Sequence, residues 1–155
     1  MPQSLAKVIV HIVYSTKNRE PWLEDKAIRG ELFAYNASIL SSSMGCPVIM
    51  IDGVEDHIHI LCLLSRKFSI MDVIKKSKTE TSKWLKRQGP ELGSFHWQAG
   101  YGIFSVDESK LKQTKRYIAS QEEHHKRFSF QDEFREWFLY PGLRHARSSL
   151  CSTLG

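Results

Sequence analysis

The chain has 155 residues, 41% of them hydrophobic, and 22 Lys and Arg against 17 Asp and Glu for a formal net charge of +5. That suffices for one domain with a real core but not for two ordinary ones, and no apolar run approaches the ~18 residues of a membrane-spanning helix. Cys46, Cys62 and Cys151, odd in number and without Cys-x-x-Cys spacing, argue against a disulfide framework or a zinc ribbon, while the basic excess favours a polyanionic partner without naming one.

Taken in chain order, residues 5–14 are β-branched and apolar around His11, which predicts a strand. Residues 24–44 are rich in Ala, Leu and Glu and stop at Gly45, which predicts a helix. Two strands are expected at 46–52 and 57–64 around a turn at Asp52-Gly53, then a second helix over 69–88. Residues 95–106 read as an extended stretch weakened by Gly100 and Gly102. No Gly or Pro interrupts 107–126, which predicts one helix, with Ser105 and Glu108 spaced as a capping box and Asp107 as the rival cap. A last helix is expected at about 130–139 before Pro141-Gly142, and residues 144–155 read as a loose polar tail.

A β-α-β-β-α-β series in a single 155-residue domain predicts an α+β, ferredoxin-like (RRM-like) sandwich. In it an antiparallel sheet carries helices on one face, the strand of His57 and His59 is central, and the helix bearing Tyr117 is added at the C-terminal end. The N-terminus lacks the basic-then-apolar pattern of a signal peptide, so the expected location is cytoplasmic, with no membrane partner.

His57-Ile58-His59 is the most informative spacing. Residues two apart on a strand point to one face, so the two imidazoles can grip one divalent ion. An isolated His-x-His is more often a pair of half-buried imidazoles that alternate with apolar residues. Sixty residues later Tyr117 and Gln121, four apart, share one helix face. Glu55 and Asp56 beside the histidines are expected to be solvent-exposed at the turn.

The basic excess is concentrated in two places. Lys75, Lys76, Lys78, Lys83, Lys86 and Arg87 fall in the second helix, and Lys110, Lys112, Lys115 and Arg116 precede the tyrosine. A charge run is ordinarily a solvated face; the second group lies just ahead of Tyr117. Trp22, Trp84, Trp97 and Phe95 are candidates for base stacking, with core packing the favoured reading.

Three segments together, Gly53-Val54-Glu55-Asp56-His57-Ile58-His59-Ile60, then residues 97–106 (Trp-Gln-Ala-Gly-Tyr-Gly-Ile-Phe-Ser-Val), then Tyr117-Ile118-x-x-Gln121-x-x-His124-His125, resemble the single-tyrosine HUH transposases of bacterial insertion sequences, in the same order over roughly residues 5–142. The related REP-associated tyrosine transposases more often carry Asn-Pro near Ser120-Gln121, which this chain lacks. The resemblance implies a metal-dependent transposase that cleaves and rejoins single-stranded DNA with hairpin ends, working as a homodimer. It further implies Tyr117 as nucleophile and His57, His59 and Gln121 as ligands of Mg²⁺ or Mn²⁺. Ligand softness favours Mn²⁺ with imidazole, and cellular availability favours Mg²⁺.

Two other readings share the layout. One is a non-catalytic ferredoxin-like nucleic-acid-binding module whose sheet stacks bases, although no aromatic run on a strand supports it. The other is a metal-dependent phosphodiesterase using His57, His59 and either His124 or His125, which would not need Tyr117.

Overall fold

In the computed structural model of the protein, residues 3–125 are described, with side chains through residue 123. The helix expected near 130–139, the tail at 144–155 and Cys151 lie outside them. Four strands, β1 (Ile9–Ser15), β2 (Val48–Gly53), β3 (His57–Leu63) and β4 (Gly102–Ser105), form one sheet in the order β2-β3-β1-β4 with every neighbouring pair antiparallel. With α1 (Lys26–Ser38) between β1 and β2 and α2 (Ile70–Lys86) between β3 and β4, this is the ferredoxin-like arrangement, and β3 and β1 are its central strands.

Strand alternation divides the sheet into two chemically different faces. Val10, Ile12 and Tyr14 of β1 and Ile58, Ile60 and Cys62 of β3 pack with Leu32 and Leu40, from α1 and the π-helical turn that extends it, and with Val73, Ile74 and Leu85 of α2 in the main core. Burying these side chains supplies most of the driving force for folding, at about 1.5–3 kcal/mol each. The opposite face carries His11, His57, His59, Ile9 and Leu61. It is covered by α3 (Leu111–Ala119), whose Ile118 joins Ile9 and Leu61 in a second, smaller core. The tyrosine helix is therefore a lid on the far face of the sheet.

Helix starts follow their sequence signals. Asp25 caps α1 by accepting from the amides of Ala27 and Ile28, and Ser69 with Asp72 forms a capping box on α2. The first helix gives way at Ile39 to a π-helical turn, and Gly45, at φ +61°, turns the chain into β2. A buried polar ring ties both helices to the sheet: Asn36 Nδ2 donates to Tyr14 Oη (3.1 Å), Tyr14 Oη donates to Ser77 Oγ (2.8 Å), and Ser77 Oγ donates to Asn36 Oδ1 (2.7 Å). Burial, only partly offset by these bonds, pushes the Tyr14 phenol up to about 12.

Several local expectations need correction. The turn between β2 and β3 is Val54-Glu55-Asp56, since Asp52 and Gly53 remain paired with His59 and Ile58. Gly53 is needed for close approach: a Cβ there would lie 2.9 Å from Ile58 Cα and nearer still to the His57 carbonyl oxygen. The strand expected at 5–14 begins only at Ile9. Of the extended stretch at 95–106 only Gly102–Ser105 is a strand, preceded by an isolated bridge between Thr16 and Trp97. Lys78 Nζ holds this irregular segment by donating to the carbonyls of Gln98 and Gly100, and Gly100 sits at φ +90°.

The single helix expected over 107–126 is three pieces. A 3-10 turn (Glu108–Lys110) is capped by Asp107, which accepts from the Ser109 amide, and α3 then ends at Ala119. A short α4 (Gln121–His125) follows a break at Ser120. Ser105 belongs to β4, so the capping box fails and the rival cap prevails. Phe95 is buried in the main core, and Trp22, Trp84 and Trp97 pack against it partly buried. Cys46 and Cys62 are buried free thiols, both pushed up by burial.

Candidate active site

The histidine face of the sheet is built by register. Val13 lies opposite His59 and Ser15 opposite His57 on the β1–β3 pair, so His11, two residues from Val13, is the diagonal neighbour of His59 on the same face. On the other side Asp52 of β2 stands directly across from His59. His11, His57 and His59 are all essentially fully buried beneath α3 and α4.

Tyr117 sits half-buried above this face. Its ring meets His59 at 5.7 Å and His11 at 6.3 Å between centroids, edge-on to both. The break at Ser120 does not separate Tyr117 from Gln121, because Gln121 Nε2 donates to the Tyr117 carbonyl at 3.1 Å. With the amide nitrogen spent there, Gln121 Oε1 faces His57 Nε2 at 3.4 Å. Gln121 is 1% exposed.

Arg29, buried at the start of α1, donates to the Leu23 carbonyl (3.0 Å) and to Glu122 Oε1 (2.9 Å). Lys26 pairs with the same carboxylate at 3.2 Å, and the Lys26 hydrogen bond, ahead of the Lys26 and Arg29 charges, holds Glu122 below the usual carboxylate range. These contacts fix α4, and hence Gln121, against the sheet. A cleft of about 560 Å³ opens beside them, lined in part by Glu24, Glu55 and Glu122.

Burial favours the neutral form of His11 and His59. Burial lowers His11 to about 4. It lowers His59 well below the usual imidazole range, reinforced by the charges that His57 and His11 would carry and partly offset by the Gln121 amide. Asp52 is raised, chiefly by burial, with the Gly53 amide and Arg29 pulling the other way.

The donor set fits a divalent cation. Asp56 Oδ1 lies 2.6 Å from His57 Nδ1, and since a carboxylate accepts, the ring donates there and a neutral His57 keeps its lone pair on Nε2. Gln121 Oε1 lies 3.4 Å from that nitrogen, so a proton or a cation between them would satisfy both. His59 Nε2 is buried with no hydrogen-bond partner among the described residues. Among those residues no three His, Cys, Asp or Glu side chains gather to hold an ion, and the amide oxygen facing His57 is that of Gln121. Two imidazoles and an amide leave positions open for phosphate and water.

Asp56 corrects an expectation: its side chain is largely buried against His57 rather than exposed. His11 is the residue that sequence reasoning passed over, because its nearness to His59 depends on the β1–β3 register. The two basic groups are separated by the sheet. Lys112, Lys115 and Arg116 are exposed on α3 next to Tyr117, with Lys110 at the preceding turn. Lys75, Lys76 and Lys83 lie on α2, in the layer behind the sheet, and Lys76 and Lys83 pair with Glu80. Lys78 is spent on the 98–100 carbonyls and over the Tyr14 ring, and burial lowers it to about 8. His124 and His125 end α4, and their side chains are outside the described set.

Comparison with known proteins follows the same geometry. The sequence profile of the family described as "Transposase IS200 like" matches residues 4–121. The ISDra2 transposase TnpA of Deinococcus radiodurans is 28% identical over 87 residues, which cover 53% of this chain and 62% of that protein, so the match spans less than two thirds of the relative. Two solved structures share the fold. A protein of Deinococcus radiodurans R1 described as a transposase has a TM-score of 0.58 at 20% identity, over 78% of this chain and 95% of that one. A REP-associated tyrosine transposase bound to a REP hairpin has a TM-score of 0.52 at 10% identity, over 78% and 68%.

Proposed function

The chain belongs to the IS200-like transposase family, and we propose that it is a metal-dependent transposase that cleaves and rejoins single-stranded DNA through a 5′-phosphotyrosine, after recognising hairpins at the ends of its element. The observation that supports this most directly is the meeting of Tyr117, His57, His59 and Gln121 on one buried face of the sheet. The basic residues of α3 beside Tyr117 and the fold shared with a hairpin-bound relative favour the same substrate.

In this reading His57 Nε2, His59 Nε2 and Gln121 Oε1 hold Mg²⁺ or Mn²⁺. A bound ion supplies charge neutralisation and orientation for the scissile phosphate. Asp56 holds the His57 ring so that Nε2 faces Gln121 Oε1, and the Tyr117 carbonyl orients the Gln121 amide in turn. Lys112, Lys115 and Arg116, with Lys110, draw the phosphate backbone toward Tyr117. Tyr117 Oη attacks phosphorus: the new bond is O–P to tyrosine, the P–O3′ bond breaks, the phenol proton leaves to solvent, and the departing 3′ oxygen takes up a proton. The phosphodiester is exchanged rather than hydrolysed, so the 3′ hydroxyl of a second strand can reverse the step and complete transfer without ATP. The protein works as a cytoplasmic homodimer.

Incubation of the protein with hairpins from its own genomic borders and Mn²⁺ tests this. A protein-linked 3′ fragment that vanishes with EDTA supports the reading. Hydrolytic cleavage that survives Tyr117→Phe would instead indicate the phosphodiesterase, and tight hairpin binding without any cleavage would indicate the binding module.

A further inference from the structure

His11 is not among the four residues of the proposed chemistry, yet it touches them more closely than any other side chain on β1. Its Nε2 lies 2.8 Å from His59 Nδ1, with both rings buried. The ring planes differ by only 25° at a centroid separation of 5.1 Å. With so short an N···N distance, that is two nearly coplanar imidazoles joined edge to edge by an in-plane hydrogen bond, rather than two stacked faces.

Such a bond carries one proton between two nitrogens, and its direction decides what His59 can do. If His11 Nε2 donated, a neutral His59 would carry its own proton on Nε2 and could not ligate through it. If His59 Nδ1 donates, Nε2 holds the lone pair. His57 has an analogous partner in Asp56, so each histidine of the pair has its outer nitrogen anchored; the inner nitrogen of His57 faces Gln121, and that of His59 is buried. One anchor is a carboxylate on the same strand and the other a neutral imidazole on the neighbouring strand.

The geometry points to His11 as a positioning residue that accepts the Nδ1 proton of His59 and so fixes the tautomer and ring plane in which His59 can bind a divalent ion. The inference rests on the metal reading of His57, His59 and Gln121 proposed above. Its physical basis is that the partner on the far ring nitrogen of a ligating histidine sets tautomer, orientation and basicity, and that losing it costs about 10–100-fold in metal affinity.

The test uses the full chain in two measurements. A long-range nitrogen–proton spectrum of the metal-free protein is expected to give His59 protonated on Nδ1 and bare on Nε2, with a nitrogen–nitrogen coupling across the bond to His11. Mn²⁺ titration followed by the electron paramagnetic resonance of the free ion is expected to give about 10–100-fold weaker binding for His11→Phe. It is expected to stay within about threefold of the unaltered protein for His11→Gln, whose amide oxygen can accept the same proton. Equal affinity of folded His11→Phe and the unaltered protein, or a His59 protonated on Nε2, would overturn the inference. If His11→Phe does not fold, the spectrum of the unaltered protein decides alone. Failure of the unaltered protein to bind Mn²⁺ in a His57- and His59-dependent way would overturn the metal reading itself, which the variant comparison by itself does not do.

Discussion

Gly53→Ala offers a sharp test of how the β2–β3 corner positions the site. The added methyl would sit 2.9 Å from Ile58 Cα and closer still to the carbonyl oxygen of His57. Bringing the contact with the His57 carbonyl oxygen out to an ordinary 3.4 Å parts the strands by about 1 Å beside His57 and Ile58. Overpacking of this kind costs about 1–3 kcal/mol, and the reduced freedom of Ala in the unfolded chain returns about 0.4–1, leaving about 1–2 kcal/mol. For a domain of this size that is a fall in Tm of roughly 3–8 °C. The consequence for the site is larger than for the fold, because a misplacement near 1 Å costs about 100-fold where geometry must be met, so up to about 100-fold weaker Mn²⁺ binding is expected. Urea denaturation and Mn²⁺ titration on the same preparation measure both. A variant as stable as the parent, with unchanged Mn²⁺ affinity, would refute the claim that close backbone approach at Gly53 holds His57 and His59 in place.

Other outcomes follow from the same geometry. His11 and His59 are buried with lowered pKa values, so the unfolded chain binds more protons than the folded one below the ordinary histidine pKa near 6.5. Stability is greatest above that pH and is lost as pH falls, down to about 4 for His11, by up to about 1.4 kcal/mol per pH unit for each proton, and His11→Phe is expected to flatten that limb in pH-dependent denaturation. Gln121→Ala removes the amide donor and is expected to weaken Mn²⁺ binding by at least about tenfold while hairpin binding in EDTA persists, read by titration and gel shift. Removing Lys112, Lys115 or Arg116 is expected to lower the salt dependence of hairpin binding by about one unit per charge, whereas Lys75→Ala, behind the sheet, leaves it unchanged.

The parts of this molecule legible from sequence are those encoded locally. Period-two alternation around His57 and His59 gave their shared face, and the spacing of Tyr117 and Gln121 gave a contact that survives the break at Ser120 because the Gln121 amide bonds the Tyr117 carbonyl. The order of strands and helices was enough for the sheet topology. What escaped depends on register and on close approach. Nothing in residues 5–14 reveals that His11 will lie diagonally beside His59, since that requires knowing which strand pairs with β1 and in what alignment. Asp52-Gly53 has the composition of a turn, yet stays in the strand because Gly53 lets the His57–Ile58 backbone come near. Asp56, polar and at a turn, looked solvated until its bond to His57 was visible. The lysines of α2 and α3 are indistinguishable by composition, and only the layer in which each helix packs separates them.

The most direct test of the central claim is covalent capture. Single-stranded hairpins labelled on either flank are mixed with the protein and Mn²⁺, the complex is denatured, and the linked residue is mapped by mass spectrometry. The account predicts a DNA fragment attached through its 5′ phosphate to Tyr117, absent with EDTA and absent in a Tyr117→Phe protein that still folds and binds the hairpin. Cleavage by that variant, or an adduct on any other residue, would contradict it.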